Sequence, residues 1–309
     1  MSYVGIATQQ SRNNIKSILL LISFPLLLLL LLYTGCLMLT NSASEAMQSF
    51  LANTPLLLIG VLLWFCIAYF TNVKIIDSAT GAQPLNRSEN KRVYNLVENL
   101  CIANGLQMPK IHIINDESLN AFASGVSKKS YTITLTKGII NRLDDKELES
   151  VIAHELAHIK NNDVRVLIIS IVFVGIFSLL SQIALRVFFF GGRRNSRSSK
   201  NSSGGTLVVM TVVLLLAIIG YFISILMRFA ISRNREYLAD AGAAMMTKNP
   251  PALASALRKI SGNSNLSKKQ SETVAQLFIE HDPDKNSFLS SIFATHPPIA
   301  KRIKILEQF

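Results

Sequence analysis

Charge is what this chain has least of. Asp, Glu, Lys and Arg make up only 16% of its 309 residues, against about 25% in a typical globular domain. With 50% hydrophobic residues and a mean hydropathy of +0.36, the chain as a whole is not disordered, since disorder needs low hydrophobicity and dense charge. Cysteine is also scarce: Cys36, Cys66 and Cys101 are the only three. So few, without a CxxC spacing, exclude a disulfide scaffold and favour buried thiols over metal ligands. There is no internal repeat. The net charge of +12 has no nucleic-acid motif to accompany it, so no nucleic-acid partner is expected. An excess of Lys and Arg also marks the cytoplasmic loops of membrane proteins.

The charges that do occur avoid four stretches. Ile18 to Leu39 lies between Lys16 and Glu45; Pro55 to Phe70 lies between Glu45 and Lys74. Val166 to Leu185 and Thr206 to Met227 are the other two. Runs of about 20 apolar residues cross a hydrocarbon core of ~30 Å. One such run can be a buried core helix; four in one chain read as membrane segments. The first is longer than a signal-peptide core and a second follows closely, so it reads as a retained anchor. No charge interrupts any of the four, so no intramembrane ion path is visible and a channel or transporter is disfavoured.

Orientation follows from the flanks. Arg12 and Lys16 precede the first run, Thr40 to Thr54 contains no Lys or Arg, and Lys74, Arg87, Lys91 and Arg92 follow the second. The positive-inside rule puts the N-terminus and the chain after the second run in the cytoplasm. The loop Gly191 to Gly205 runs against this, because Arg193, Arg194, Arg197 and Lys200 would lie outside if runs three and four both span. Either the first pair dominates orientation, or the second pair is a shallow hairpin. Both readings return the chain to the same face.

Lys74 to Asp163 is polar enough to fold in water. Val93, Leu96, Val97 and Leu100 predict a helix over Arg92 to Ala103, ended by Gly105. Lys110 to Ile114 and Tyr131 to Leu135 read as strands, and Asn120 to Ala123 as a strand or bend. Asp144 or Asp145 caps a helix running to about Lys160. Beyond Phe229, helices are expected at Asn234 to Thr247, Pro251 to Ile260, Ser271 to Phe278 and Pro298 to Gln308.

The chemistry is concentrated in His154-Glu155-Leu156-Ala157-His158, an HExxH pattern on a predicted helix. Residues four apart share a helix face, so both imidazoles can reach one metal ion, with Glu155 beside them to act on a water. Catalytic zinc takes three protein ligands and leaves one position open. Besides His112, His281 and His296, the stronger candidate for the third is Glu236, which stands four before Asp240 on another predicted helix. One of these carboxylates can bind metal while the other accepts the second ring N–H of a ligand histidine, with His154 favoured. Spacing alone leaves open that both simply pair with Arg233 and Arg235.

The chain resembles the HtpX-type membrane metallopeptidases of family M48. The motifs that carry the likeness are Asn120-Ala121-Phe122-Ala123, Val151 to His158, Ser232 to Asp240, and His296-Pro297-Pro298 followed by Arg302. The resemblance implies one zinc ion per chain on His154, His158 and Glu236, with Glu155 as catalytic base. It implies a zincin (gluzincin-like) metallopeptidase domain, mainly α with α+β character and a small β-sheet before the HExxH helix, within a multi-pass α-helical membrane protein. The expected organisation is 1–73 two membrane helices, 74–163 the first part of the peptidase domain, 164–228 a membrane hairpin, and 229–309 the second part.

Further roles are expectations. His296 is the candidate oxyanion donor, helped by Arg302 or Tyr237. Asp240 and Arg302 support the ligands. Tyr131 to Leu135 is read as an edge strand that pairs with extended substrate, an ordinary core strand being equally open; Asn120, Ala121, Tyr131 and Ile133 are the candidate substrate contacts. The expected activity is endoproteolysis of misfolded or damaged membrane proteins, or of unfolded polypeptides. It is placed at the cytoplasmic face of a bacterial inner membrane, as part of quality control under stress. A dedicated processing peptidase and a non-catalytic scaffold or chaperone are the alternatives.

Overall fold

The computed structural model describes residues 6–40, 42–166, 168–169, 235–261 and 297–308, with 182, 186 and 218 singly. Most of the third and fourth apolar runs, and all of the Gly191 to Gly205 loop, the helix expected at Ser271 to Phe278, His281 and His296, lie outside these residues. The chain divides into two compact units. One comprises Met1–Ile15, Thr71–Ile168 and Phe229–Phe309, the other Lys16–Phe70 and Ile169–Arg228.

The first two apolar runs form two long helices, α1 (Ile6–Leu39) and α2 (Ala43–Thr80). Within α2, Ala43–Ile67 is long and apolar enough to cross a membrane; Ile22–Leu37 of α1 is a shorter apolar stretch. Leu56 and Phe70 are largely exposed, as side chains facing lipid are. The turn between the helices is tighter than the sequence suggests. Ser42 begins α2, its Oγ accepting from the Glu45 amide at 3.3 Å, and Glu45 suits the positive end of the helix dipole. The charge-poor residues before Pro55 are therefore helix, not loop. The rings of Tyr33 and Phe50 meet edge-to-face at 5.5 Å and join the two helices.

Beyond its apolar part α2 becomes polar and ends at Gly81, whose φ of +74° stops the helix. Near that end Asp77 Oδ1 lies 3.0 Å from Nδ1 of His112, so His112 has a structural partner.

A four-stranded sheet follows in the order β1-β2-β4-β3. Its strands are β1 (Gln83–Pro84), β2 (Lys110–Ile114), β3 (Ala121–Ser124) and β4 (Thr132–Thr136). β2 and β4 run parallel, while β1 on β2 and β3 on β4 are antiparallel. The β3–β4 turn needs Gly125, at φ +101°, because a Cβ there would lie 2.3 Å from the Ser130 carbonyl oxygen. α3 (Lys91–Asn104) is capped by Asn90 and closed by Gly105 in the left-handed region. It buries Val93, Val97, Leu100 and Cys101, and burial pushes the Cys101 thiol up to about 11.

The expectation of an edge strand at Tyr131 to Leu135 is overturned. β4 is paired on both sides, to β2 through Lys110–Ile114 and to β3 through Ala121–Ser124. Its backbone groups are already engaged, so no substrate strand can be added to it. Ile133, fully buried, is a core residue and not a substrate contact. Tyr131 precedes the strand and points its hydroxyl to Asn162 Oδ1 at 3.3 Å. Among the described residues the edges are β1 and β3, so Ala121 lies on an edge.

After the short α4 (Lys137–Arg142) comes the HExxH helix, α5 (Asp145–Lys160). Asp144 and Glu147 form a full capping box at its start. α5 packs against α3, β3, β4 and α7 (Pro250–Ile260). It is buried nearly all round, unlike a surface helix with one apolar stripe. Leu148, Ile152 and Leu156 are fully buried, each stabilising by roughly 1.5–3 kcal/mol relative to exposure. The chain also forms α6 (235–247) and α8 (Ile299–Leu306), which packs on α7. Glu147 has a second use beyond capping: Ser255 Oγ donates to it at 2.7 Å and Lys259 Nζ at 2.6 Å, tying α5 to α7.

Candidate metal centre

The helical repeat puts His154 and His158 one above the other on α5. Their rings stand nearly perpendicular, centroids 4.7 Å apart, and their Nε2 atoms are 3.2 Å apart. α6 brings Glu236 across both. Oε2 lies 3.5 Å from His154 Nε2 and Oε1 3.5 Å from His158 Nε2. The three groups offer donor atoms that all lie within 4.8 Å of one another.

Small residues permit this approach. Ala153 and Ala157 on α5, and Ala239 and Ala243 on α6, are fully buried. Gly242 of α6 faces Ala157, where an added Cβ would come within 2.9 Å of the Ala157 Cβ. Any larger residue there pushes α6, and with it Glu236, away from the histidines.

Each imidazole is fixed from behind. His154 Nδ1 lies 3.0 Å from Asp240 Oδ1, and His158 Nδ1 lies 3.0 Å from Asp163 Oδ2. A carboxylate behind Nδ1 favours a proton there, so that a metal displacing any second proton would meet the Nε2 lone pair beside the other ligand atoms. Arg302, delivered by α8 and fully buried, grips Asp240 with a two-pronged contact, Nε to Oδ2 at 2.9 Å and Nη2 to Oδ1 at 2.7 Å. Its Nη1 is 3.4 Å from Glu236 Oε2. Glu155, beside His154 on α5, is also buried.

The electrostatics follow from this packing. Burial alone raises a carboxyl pKa, but Arg302 and His154 outweigh it and hold Asp240 down at about 2. Burial likewise disfavours charge on His154, yet Asp240 and Glu236 carry it up to about 9. Burial lowers the Arg302 pKa less than the carboxylates of Asp240, Glu236 and Glu155 raise it, so it stays charged. Arg235 is pulled below its ordinary value by burial, against Asp163 and Glu236.

Two imidazole Nε2 atoms with carboxylate-backed Nδ1 atoms, plus a carboxylate, are the donor chemistry of a catalytic zinc site with one position left open. The residues present therefore fit a divalent metal of the zinc type.

The sequence model of peptidase family M48 matches residues 87–309. The chain belongs to peptidase family M48. The protein named Protease HtpX homolog of Bacteroides fragilis strain YCH46 is 58% identical, the match covering 100% of both chains. That of Lactobacillus acidophilus strain NCFM is 33% identical over 97% of this chain and 98% of its own. The crystal structure of S. mikatae Ste24p shares the fold at 21% identity, with a TM-score of 0.50 over 96% of this chain and 67% of that one. This M48 chain is a membrane metalloprotease of the HtpX type.

Of the residues singled out in the sequence, His154, His158, Glu236, Asp240 and Arg302 come together, with Glu155 beside His154. His296 lies outside the described residues. Asn120 is buried and pinned at the start of β3: its Oδ1 accepts from the Ala121 amide at 2.9 Å and its own amide donates to Thr136 Oγ1 at 3.0 Å. Sequence reasoning missed Asp163 and Gly242, and considered Arg235 only as an alternative partner of Glu236 and Asp240, not of the Asp163 carbonyl. Asp163 had a signal, an acid five residues beyond His158 where the helix was expected to end. Gly242 had none, because a glycine inside a predicted helix does not say what faces it.

Proposed function

We propose that this M48 protease is a zinc-dependent endopeptidase that hydrolyses peptide bonds of misfolded or damaged membrane proteins at the cytoplasmic face of a bacterial inner membrane. The observation that carries the reading is the convergence of His154 Nε2, His158 Nε2 and the Glu236 carboxylate within 4.8 Å. These three residues would hold one zinc ion per chain. When bound, zinc acidifies a water and polarises a carbonyl.

The chain's own groups supply the rest. Glu155 takes a proton from the attacking water and gives it to the leaving amine. Asp240, held by Arg302, keeps His154 turned toward the site. β3 packs on α5 and has an unpaired edge among the described strands; Asn120 and Ala121 at its start have buried side chains, so extended substrate would lie along it by backbone pairing alone. Such pairing reads backbone and not side chains, which suits a protease of unfolded segments. His296 would donate to the substrate oxyanion. The two long helices and the apolar runs at 166–185 and 206–227 support a multi-pass arrangement with the peptidase parts on one face. The active protein would be laid out as 1–73, 74–163, 164–228 and 229–309.

The test is zinc content and cleavage of an unfolded protein by detergent-purified chain, wild type beside Glu155→Gln. About one zinc per chain in both, with cleavage only by the wild type, is the expected result. Zinc in both without any cleavage would favour a narrow processing peptidase. Absence of zinc from both would sink the ligand set.

A further inference from the structure

The ligand histidine His158 and the third ligand candidate Glu236 stand on opposite sides of a long insertion, residues 164–234. Something must hold the two ends of that insertion in register if the donor atoms are to converge. Three consecutive residues after the HExxH helix supply a device for this. Asn161 closes α5, its amide donating to the Ala157 carbonyl. Asn162 then adopts φ +59°, the left-handed region that asparagine tolerates better than most side chains and β-branched residues scarcely tolerate. Its Oδ1 receives the Tyr131 hydroxyl at 3.3 Å. This reversal turns Asp163 back toward the helix it has just left. The Asp163 carboxylate reaches His158 Nδ1 at 3.0 Å, and its carbonyl accepts from Arg235 Nη1 at 3.1 Å. Asp163 and Arg235 are both buried, so neither contact is a solvated surface pair.

We infer that Asp163 is the positioning residue for His158, and that the Asp163–Arg235 contact latches the two ends of the insertion to the metal-binding face. Asp163 does for His158 what Asp240 does for His154. The two devices differ in origin. Asp240 is presented by a helix and gripped by Arg302, whereas Asp163 depends on the left-handed turn at Asn162. Arg235 is the residue before Glu236, so the hydrogen bond it gives to Asp163 also anchors the chain next to the third ligand candidate. The inference rests on the reading of His158 as a metal ligand.

The test uses the full-length protein in detergent. Zinc affinity is measured by chelator competition, with the visible spectrum of the cobalt-substituted protein as a geometric readout. Loss of a partner behind a ligand histidine typically weakens metal binding about 10–100-fold. Asp163→Asn is expected to weaken zinc within that range and to shift the cobalt spectrum, and Arg235→Met to weaken zinc several-fold through the lost latch. Asn162→Gly, which keeps the backbone turn, is expected to remain within about threefold of wild type, while Asn162→Val falls with Asp163→Asn, because only glycine relaxes into that region freely. If Asp163→Asn does not fold, the Asn162 pair decides alone. Equal zinc affinity of Asn162→Gly and Asn162→Val, or an Asp163→Asn affinity within twofold of wild type, would overturn the assignment. His158→Ala separates this from the underlying reading: retention of zinc by His158→Ala would mean that the ligand set itself is wrong.

Discussion

Gly242 of α6 faces Ala157 of α5, and the Cβ it lacks would sit 2.9 Å from the Ala157 Cβ. The contact falls one residue before His158 and two after Asp240. It therefore sets the separation of the two helices at the level of the metal-binding groups. Gly242→Leu is expected to move α6 outward at a cost of about 1–3 kcal/mol and to weaken zinc binding at least tenfold, about 1.4 kcal/mol. Gly242→Ala, which adds only the one close contact, falls between. Metal analysis of the purified variants checks this, and full occupancy at limiting zinc in Gly242→Leu would refute it.

Arg302 is the only described Lys or Arg paired with Asp240, and both are buried. Arg302→Met leaves that carboxylate with only His154 beside it, and breaking a buried pair by removing one partner typically costs about 3–5 kcal/mol. The expected outcome is a large fall in the unfolding temperature, measured in excess chelator so that metal loss does not contribute. Arg302→Lys keeps the charge but not the two-pronged grip, and recovers only part of the loss. An unfolding temperature for Arg302→Met equal to wild type would show that the grip contributes nothing to the fold.

Glu147 predicts a pH dependence. Burial opposes its charge, but Lys259, Ser255 and the Asp144 amide outweigh burial and hold its pKa below the ordinary value. A carboxyl whose folded pKa is depressed contributes stability above its unfolded pKa of about 4.3. That contribution is lost as pH falls through the folded value. Glu147→Gln should therefore be less stable than wild type at neutral pH, by about 1–2 kcal/mol. The gap should close as the pH is lowered beneath the ordinary carboxylate range. Denaturation curves at several pH values measure it; a gap that widens in acid would contradict the sign.

His296 gives a kinetic prediction. As the proposed oxyanion donor it would act on the reacting substrate, so His296→Phe should reduce kcat about 100-fold or more while zinc content stays at the wild-type level. Loss of zinc with loss of activity would instead make it part of the metal-binding structure.

Much of the site was legible before the fold. HExxH reads directly because a helix repeats every 3.6 residues, so His154 and His158 must share a face wherever the helix lies. The same rule puts Glu236 and Asp240 on one face of α6. The strands expected at Lys110 to Ile114 and Tyr131 to Leu135, the second observed one residue later, and the capped helix beginning after Asp144 were visible for the same local reason. Their periodicity, caps and turn residues are properties of neighbours in the chain.

What the chain by itself determined is thus the helices α3, α5, α7 and α8, the strands β2 and β4, the apolar runs and the two pairs of metal-binding candidates. Only the tertiary structure decided which carboxylate stands behind which imidazole, which strand is an edge, and how closely α6 approaches α5. Asp163 reaches His158 through a left-handed turn that no periodicity announces. β4 became interior because β3 folds back on it beyond Gly125. Gly242 matters only because Ala157 lies opposite. Each of these depends on groups distant in sequence meeting at a few ångströms, and hydrogen bonds, ion pairs and close packing are decided at that range.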